Sequence, residues 1–203
     1  MKNYRDWQRL PLPELMQDME RDERGFPVPY NVARYLADNT PRFQINDDRR
    51  TEECIDKKLC TICGKTIPTN DQWLVGGPVS AFHPQGAFMD SPMHKLCLHY
   101  ALQVCPYMAL RTYTKKTEAS KIDPAEFGYS GLLDPTMTGE RVPFFAVVRV
   151  HDYEVVRRSP AQRFIKPLGE YPEVEFWRNG VVMTEEEMTQ AWNEYQGTLR
   201  HGV

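Results

Sequence analysis

Cys60-Thr61-Ile62-Cys63-Gly64-Lys65, followed further along by Ser91-Pro92-Met93-His94-Lys95-Leu96-Cys97, is the part of this sequence on which its fold turns. The two-residue gap between Cys60 and Cys63 lets a tight turn aim both thiolates at one ion, and Gly64 supplies permissive backbone after the second sulfur. In the second stretch Ser91 is a candidate cap, Pro92 suits a first helical turn, and His94 and Cys97 stand three apart, on one face of a helix. Cys60, Cys63, His94 and Cys97 then make a closed ligand set for zinc, with no position left for water. A knuckle, a hairpin and a helix whose first turn brings the second ligand pair form a treble-clef arrangement. The hairpin is expected from Thr66-Ile67 paired with Trp73-Leu74-Val75 around Pro68-Thr69-Asn70-Asp71.

Other donors fit the ion less well. Cys105 is eight residues beyond Cys97, about 12 Å along a helix axis, and reads as a buried apolar residue. His99 falls about 140° around the helix from His94 and points away from the site. Cys54 belongs to the preceding helix and reads as core. His83, in the Gly- and Pro-containing loop 76–86, is the outside candidate able to approach the metal. A redox role for the cysteine pair would want it where a strand feeds a helix, whereas here it follows a helix.

Composition supports a globular chain. Of 203 residues 41% are apolar and 26% charged, near the averages of folded domains. The longest apolar run is Phe144 to Val148, far short of the roughly 18 residues that span a bilayer, so no membrane association is expected. The start, MKNYRDWQRL, lacks the apolar run of a secretory signal. The chain therefore reads as cytoplasmic, with thiols reduced, and five cysteines clustered between 54 and 105 speak for metal ligation over a disulfide framework. A net charge of −3 excludes a generally basic nucleic-acid coat.

The pattern predicts an α+β protein in four stretches. Residues 1–24 form an N-terminal arm with a short helix starting near Pro13, and 25–110 form the zinc-binding region. Within that region, residues 30–36 and 42–45 make a hairpin, and Asn46 caps a helix running through Asp47 to Lys58. Residues 111–141 connect to 142–203, a small antiparallel sheet with a C-terminal helix, all packed as one unit. The strongest strand signal covers 142–156, with 163–165 and 173–177 as partners. Asn179-Gly180 signals a turn before Val181-Val182. Thr184 and Glu187 have capping-box spacing, and Met188, Ala191, Trp192, Tyr195 and Leu199 share one face of the helix that follows.

The order of motifs resembles an uncharacterised family of small proteins from bacteriophages and bacterial mobile elements, especially those of actinobacteria. The residues that carry this are Gly25-Phe26-Pro27-Val28-Pro29, Cys60-Thr61-Ile62-Cys63-Gly64, Gly77-Pro78, the Ser91 to Cys97 stretch, Cys105-Pro106-Tyr107, and residues 172–180 running into Thr184-Glu185-Glu186-Glu187. Relatives of that kind often show two adjacent tryptophans where this chain has Phe176-Trp177. The resemblance implies a zinc site and a mobile-element origin, and it brings no activity with it.

Three functions suit these features. The first is a non-catalytic, zinc-stabilised protein that binds another protein, of host or phage, through loop 76–90, with His83 and with Phe82 and Phe88 unless those two rings pack into the core. The second is nucleic-acid binding through a basic patch of Lys95, Arg111, Lys115, Lys116 and Lys121 around Tyr113. The third is a treble-clef nuclease using His83, Asp90 or His99.

Overall fold

The computed structural model describes residues 9–109, 142–159 and 162–201. The expected N-terminal helix shrinks to a single 3-10 turn, Glu14–Met16. Asp22 explains the rest, because its Oδ1 accepts from the N–H groups of both Arg24 and Phe26 at 2.9 Å. A side chain that bonds its own neighbours in this way offers the backbone a turn in place of a helix. Met16 is nevertheless buried and anchors the segment.

The hairpin expected next is present as β1 (Val32–Arg34) and β2 (Pro41–Asn46), antiparallel, with Arg34 opposite Pro41. Helix α1 (Asp48–Lys57) follows. Its cap is Asp47, not Asn46: the Asp47 side chain accepts from the N–H groups of Arg49 and Arg50, and Lys58 ends the helix in the left-handed conformation. Strand β3 (Gln72–Gly76) leads into the short helix α2 (Pro78–Phe82), in a stretch expected to be loop. Helices α3 (Lys95–Val104) and α4 (Pro106–Ala109) come next.

The continuous strand expected over 142–156 is two strands, β4 (Phe145–Val150) and β5 (Asp152–Ser159), which break at His151 and join different sheets. β5 pairs with β6 (Gln162–Leu168) as a ribbon, and β4 pairs with β7 (Glu173–Arg178). Asn179 and Gly180, both at positive φ, make the tight turn into β8 (Val181–Val182). Helix α5 (Glu185–His201) begins with the reciprocal bonds of a capping box: the Thr184 N–H donates to Glu187 at 2.8 Å, and the Glu187 N–H donates to the Thr184 hydroxyl at 3.3 Å. The architecture is thus mixed α+β, with small antiparallel sheets and a C-terminal helix.

The principal sheet has the antiparallel order β3-β4-β7-β8. The expected pairing of Thr66-Ile67 with β3 is not formed. Thr66 bridges Leu59 instead, and β3 takes β4 as its partner from Gln72 opposite Val150 to Gly76 opposite Ala146. Two residues could bury little, whereas β4 offers five opposed positions and two apolar faces.

Alternation along the sheet sorts its side chains into two cores. Trp73, Phe145, Val147 and Trp177 face the cysteines, α3 and Met16. Leu74, Ala146, Val148 and Phe176 face Phe88, Ile165 and α5, where Ala191 and Tyr195 are buried. Burial on both faces is why the stretch Phe144 to Val148 reads as an uninterrupted apolar run. The side chain of Leu199 lies outside the described residues, as do residues 111–141 with Arg111, Tyr113, Lys115, Lys116 and Lys121.

Candidate metal centre

The knuckle is built by its own backbone. The Gly64 N–H donates to the Cys60 carbonyl at 2.8 Å and the Cys60 N–H donates to the Lys65 carbonyl at 2.9 Å, which turns both sulfurs inward. Gly64 sits at φ +70°, and a Cβ there would come within 2.7 Å of the Tyr30 ring, so the position needs glycine on both counts. Across from the knuckle, α3 begins later than Ser91 and Pro92 suggest: His94 is its N-cap residue, with extended ψ, and Cys97 lies in the first turn. Met93 forms a bridge with Trp73, and that pairing holds residues before His94 extended.

Cys60, Cys63, His94 and Cys97 converge, with ligand atoms all within 4.8 Å of one another, and they can hold a metal ion. His94 Nδ1 lies 3.4 Å from Cys63 Sγ and 4.0 Å from Cys97 Sγ. Bond lengths of about 2.3 Å to sulfur and 2.0–2.1 Å to nitrogen give a tetrahedral S···N edge of about 3.6 Å, between those two values. The other ring nitrogen, Nε2, is 3.1 Å from the Thr66 carbonyl. A carbonyl only accepts, so Nε2 carries a proton and Nδ1 is the ligand. Thr66, placed here as the anchor of the ring, had no signal in the sequence, because any residue type supplies a carbonyl.

Burial disfavours the His94 imidazolium, but hydrogen bonds with Cys60 and Cys63 outweigh it and raise the ring to about 10. Hydrogen bonds from Cys60 and Cys97 hold Cys63 far below the usual thiol range, and Cys97 is pushed far above it by bonds with Cys60 and Cys63. Cys63, His94 and Cys97 thus share protons across short contacts, an arrangement a divalent cation relieves by displacing those protons.

The remaining candidates are dispersed. Cys54 is buried outside the cluster, its thiol pushed up to about 12 by burial, and Cys105 caps the C-terminal end of α3. His99 turns away from the ligands, as expected, with Nε2 2.8 Å from Glu175 and its ring 4.9 Å from that of Trp177. His83 is exposed and accepts from the Gln85 N–H at 3.1 Å, a local turn contact. Asp90 lies 3.5 Å from the Asn46 amide. Neither His83, Asp90 nor His99 belongs to the one group of metal-capable side chains found among the described residues.

Burial takes Phe88 out of the expected partner-binding set and leaves Phe82 partly accessible. Phe88 is 0% exposed in the core and bridges Ile165, so it offers no surface. Phe82 is half-buried, with its ring 4.7 Å from Trp192 and 5.6 Å from Phe176. Lys95 also departs from the expected basic patch: its ammonium pairs with Glu173 and Glu175 and lies 4.3 Å from the centre of the Trp73 ring.

Comparisons with protein families, curated proteins and solved structures find no match to this chain. No helix among the described residues is long and apolar enough to cross a membrane.

Proposed function

We propose that this protein is a non-catalytic, zinc-stabilised module that acts by binding another protein, as an accessory protein of a phage or mobile element in the bacterial cytoplasm. The observation that carries the reading is the closed donor set of Cys60, Cys63, His94 and Cys97. Three thiolates and one imidazole in tetrahedral reach suit zinc, and four protein ligands leave no coordination position for a water or substrate. Such a site supplies folding energy rather than chemistry. The knuckle and the ligand helix are two parts of the expected treble clef, but its hairpin is missing, because Thr66 bridges Leu59 and β3 pairs with β4. The mobile-element origin rests on the resemblance of the motifs alone.

A protein partner is favoured over nucleic acid by the surface chemistry. One groove among the described residues, of about 1090 Å³, has the half-buried rings of Phe26 and Phe43 in its wall. Lys95, the described member of the expected basic patch, has its charge met by two glutamates. Phosphate binding needs clustered, available Lys and Arg.

Affinity capture from a bacterial lysate, with and without nuclease, tests this reading alongside elemental analysis of the bait. The expected result is zinc in the bait and a captured protein that survives nuclease. It should also survive a rise in salt from about 50 to 200 mM, over which phosphate contacts lose orders of magnitude in affinity. Capture that disappears with nuclease or salt replaces the reading with nucleic-acid binding.

A further inference from the structure

His94 occupies the position where a helix ordinarily carries its own cap, yet its ring is turned into the metal cluster and makes no cap bond to α3. The first N–H groups of a helix lack intrahelical partners, and a Ser, Thr, Asp or Asn at the N-cap commonly supplies an acceptor. Here the acceptor comes from another element. Asp71, at the end of the 3-10 turn Thr69–Asp71, accepts with Oδ1 from the Lys95 N–H at 3.3 Å. The same oxygen accepts from the indole Nε1–H of buried Trp73 at 2.9 Å.

The residue before His94 is fastened to the same place. The Trp73 N–H donates to the Met93 carbonyl at 3.0 Å, and the Met93 N–H donates to the Trp73 carbonyl at 2.9 Å. Met93 is therefore held through its main chain and Lys95 through Asp71, so the backbone that carries His94 is pinned on both sides to residues 71–73. The Thr66 carbonyl then fixes the ring.

We propose that Asp71 is a positioning residue for the metal centre. Its carboxylate caps α3 from outside the helix and sets the direction from which His94 Nδ1 and Cys97 Sγ face Cys60 and Cys63. A negative group at a helix N-terminus is also favoured by the helix dipole. The inference rests on the zinc reading of the site, and Asp71 touches none of the four ligands: it acts on them through the first turn of α3.

The test is zinc affinity, measured by competition with a chromophoric chelator, and the absorption spectrum of the cobalt-substituted protein. It compares wild type with Asp71→Asn, Asp71→Ala and Asp71→Ser. Loss of a helix cap loosens the first turn that carries His94 and Cys97, so Asp71→Ala is expected to weaken metal binding by about 10-fold, with a changed cobalt spectrum. Asp71→Ser, whose hydroxyl is too short to reach both donors, repeats the measurement if the alanine variant does not fold. Asp71→Asn keeps an acceptor oxygen in place and is expected within about 3-fold of wild type. Wild-type affinity and spectrum in the alanine and serine variants overturn the inference. So does an Asp71→Asn protein as weak as Asp71→Ala, because a retained capping acceptor would then make no difference. A wild-type chain that binds neither zinc nor cobalt overturns the metal reading itself.

Discussion

Cys63 Sγ stands 3.4 Å from His94 Nδ1 although 31 positions of sequence separate the two residues. Between them the chain makes β3 and α2 and returns, so the contact joins the knuckle to the helix that packs beneath the principal sheet. An ion at this point ties two sides of one core together, because Cys60, Cys97, Trp73 and Val147 belong to the same buried cluster.

One zinc per chain is the expected elemental analysis, and Cys60→Ser, Cys63→Ser or Cys97→Ser should yield metal-poor, insoluble or partly unfolded protein. Structural zinc is worth about 10–16 kcal/mol in finger peptides, comparable with the whole stability of a typical domain at about 5–15 kcal/mol. Acid should release the metal as the donors regain their protons. Full metal retention in the Cys60→Ser protein contradicts the assignment.

Cys54→Ala and Cys105→Ala should leave zinc content unchanged, since both lie outside the cluster. Cys54 is 1% exposed, and truncating it should cost about 1–2 kcal/mol through lost packing. Chemical denaturation with parallel metal analysis separates the two effects. Stoichiometric zinc loss in either variant would require a different ligand set.

Phe88→Ala should destabilise the fold by about 3–5 kcal/mol, the range for emptying a buried aromatic site. Urea titration measures this directly. A loss below about 0.5 kcal/mol, the scale of surface substitutions, would return Phe88 to the surface role first expected of it.

Acid sensitivity should be partly traceable to Glu52. A hydrogen bond from Arg157 and the nearby charge of Arg163, working against some burial, hold its carboxyl below the ordinary value of 4.5. A depressed folded-state pKa means that the contribution is complete above about pH 4.5 and is lost as pH falls through the folded value. The pairs are partly exposed, so the contribution belongs near the range of about 0.2–1 kcal/mol for surface ion pairs. Stability measured from pH 7 to 3 should fall less steeply for Glu52→Gln than for wild type, and parallel curves would show that Glu52 carries none of the slope.

Features governed by near neighbours were legible before any coordinates. The β1–β2 hairpin with Asn39 at positive φ in its turn, the body of α1, the Asn179-Gly180 turn and the Thr184/Glu187 box are each decided within a few residues, by a cap or a positive φ. Local reading failed where a side chain or strand found a better partner than its neighbours. Asp22 replaced a helix with a turn, β3 left Thr66-Ile67 for β4, and the run over 142–156 divided at His151. Phe88 looked like a loop residue because the strand it bridges, at Ile165, is distant in sequence.

The sequence by itself determined the donor set: residue type and two-residue spacing name Cys60, Cys63, His94 and Cys97, because thiolate and imidazole chemistry and the reach of a tight turn are local properties. Only the tertiary structure decided that Nδ1 of His94 faces the sulfurs, that the Thr66 carbonyl holds the opposite nitrogen, and that Asp71 caps the ligand helix. Those choices depend on hydrogen-bond acceptors delivered from other elements. A backbone carbonyl or a lone carboxylate carries no mark in the sequence of the donor it will meet until the chain has closed around both.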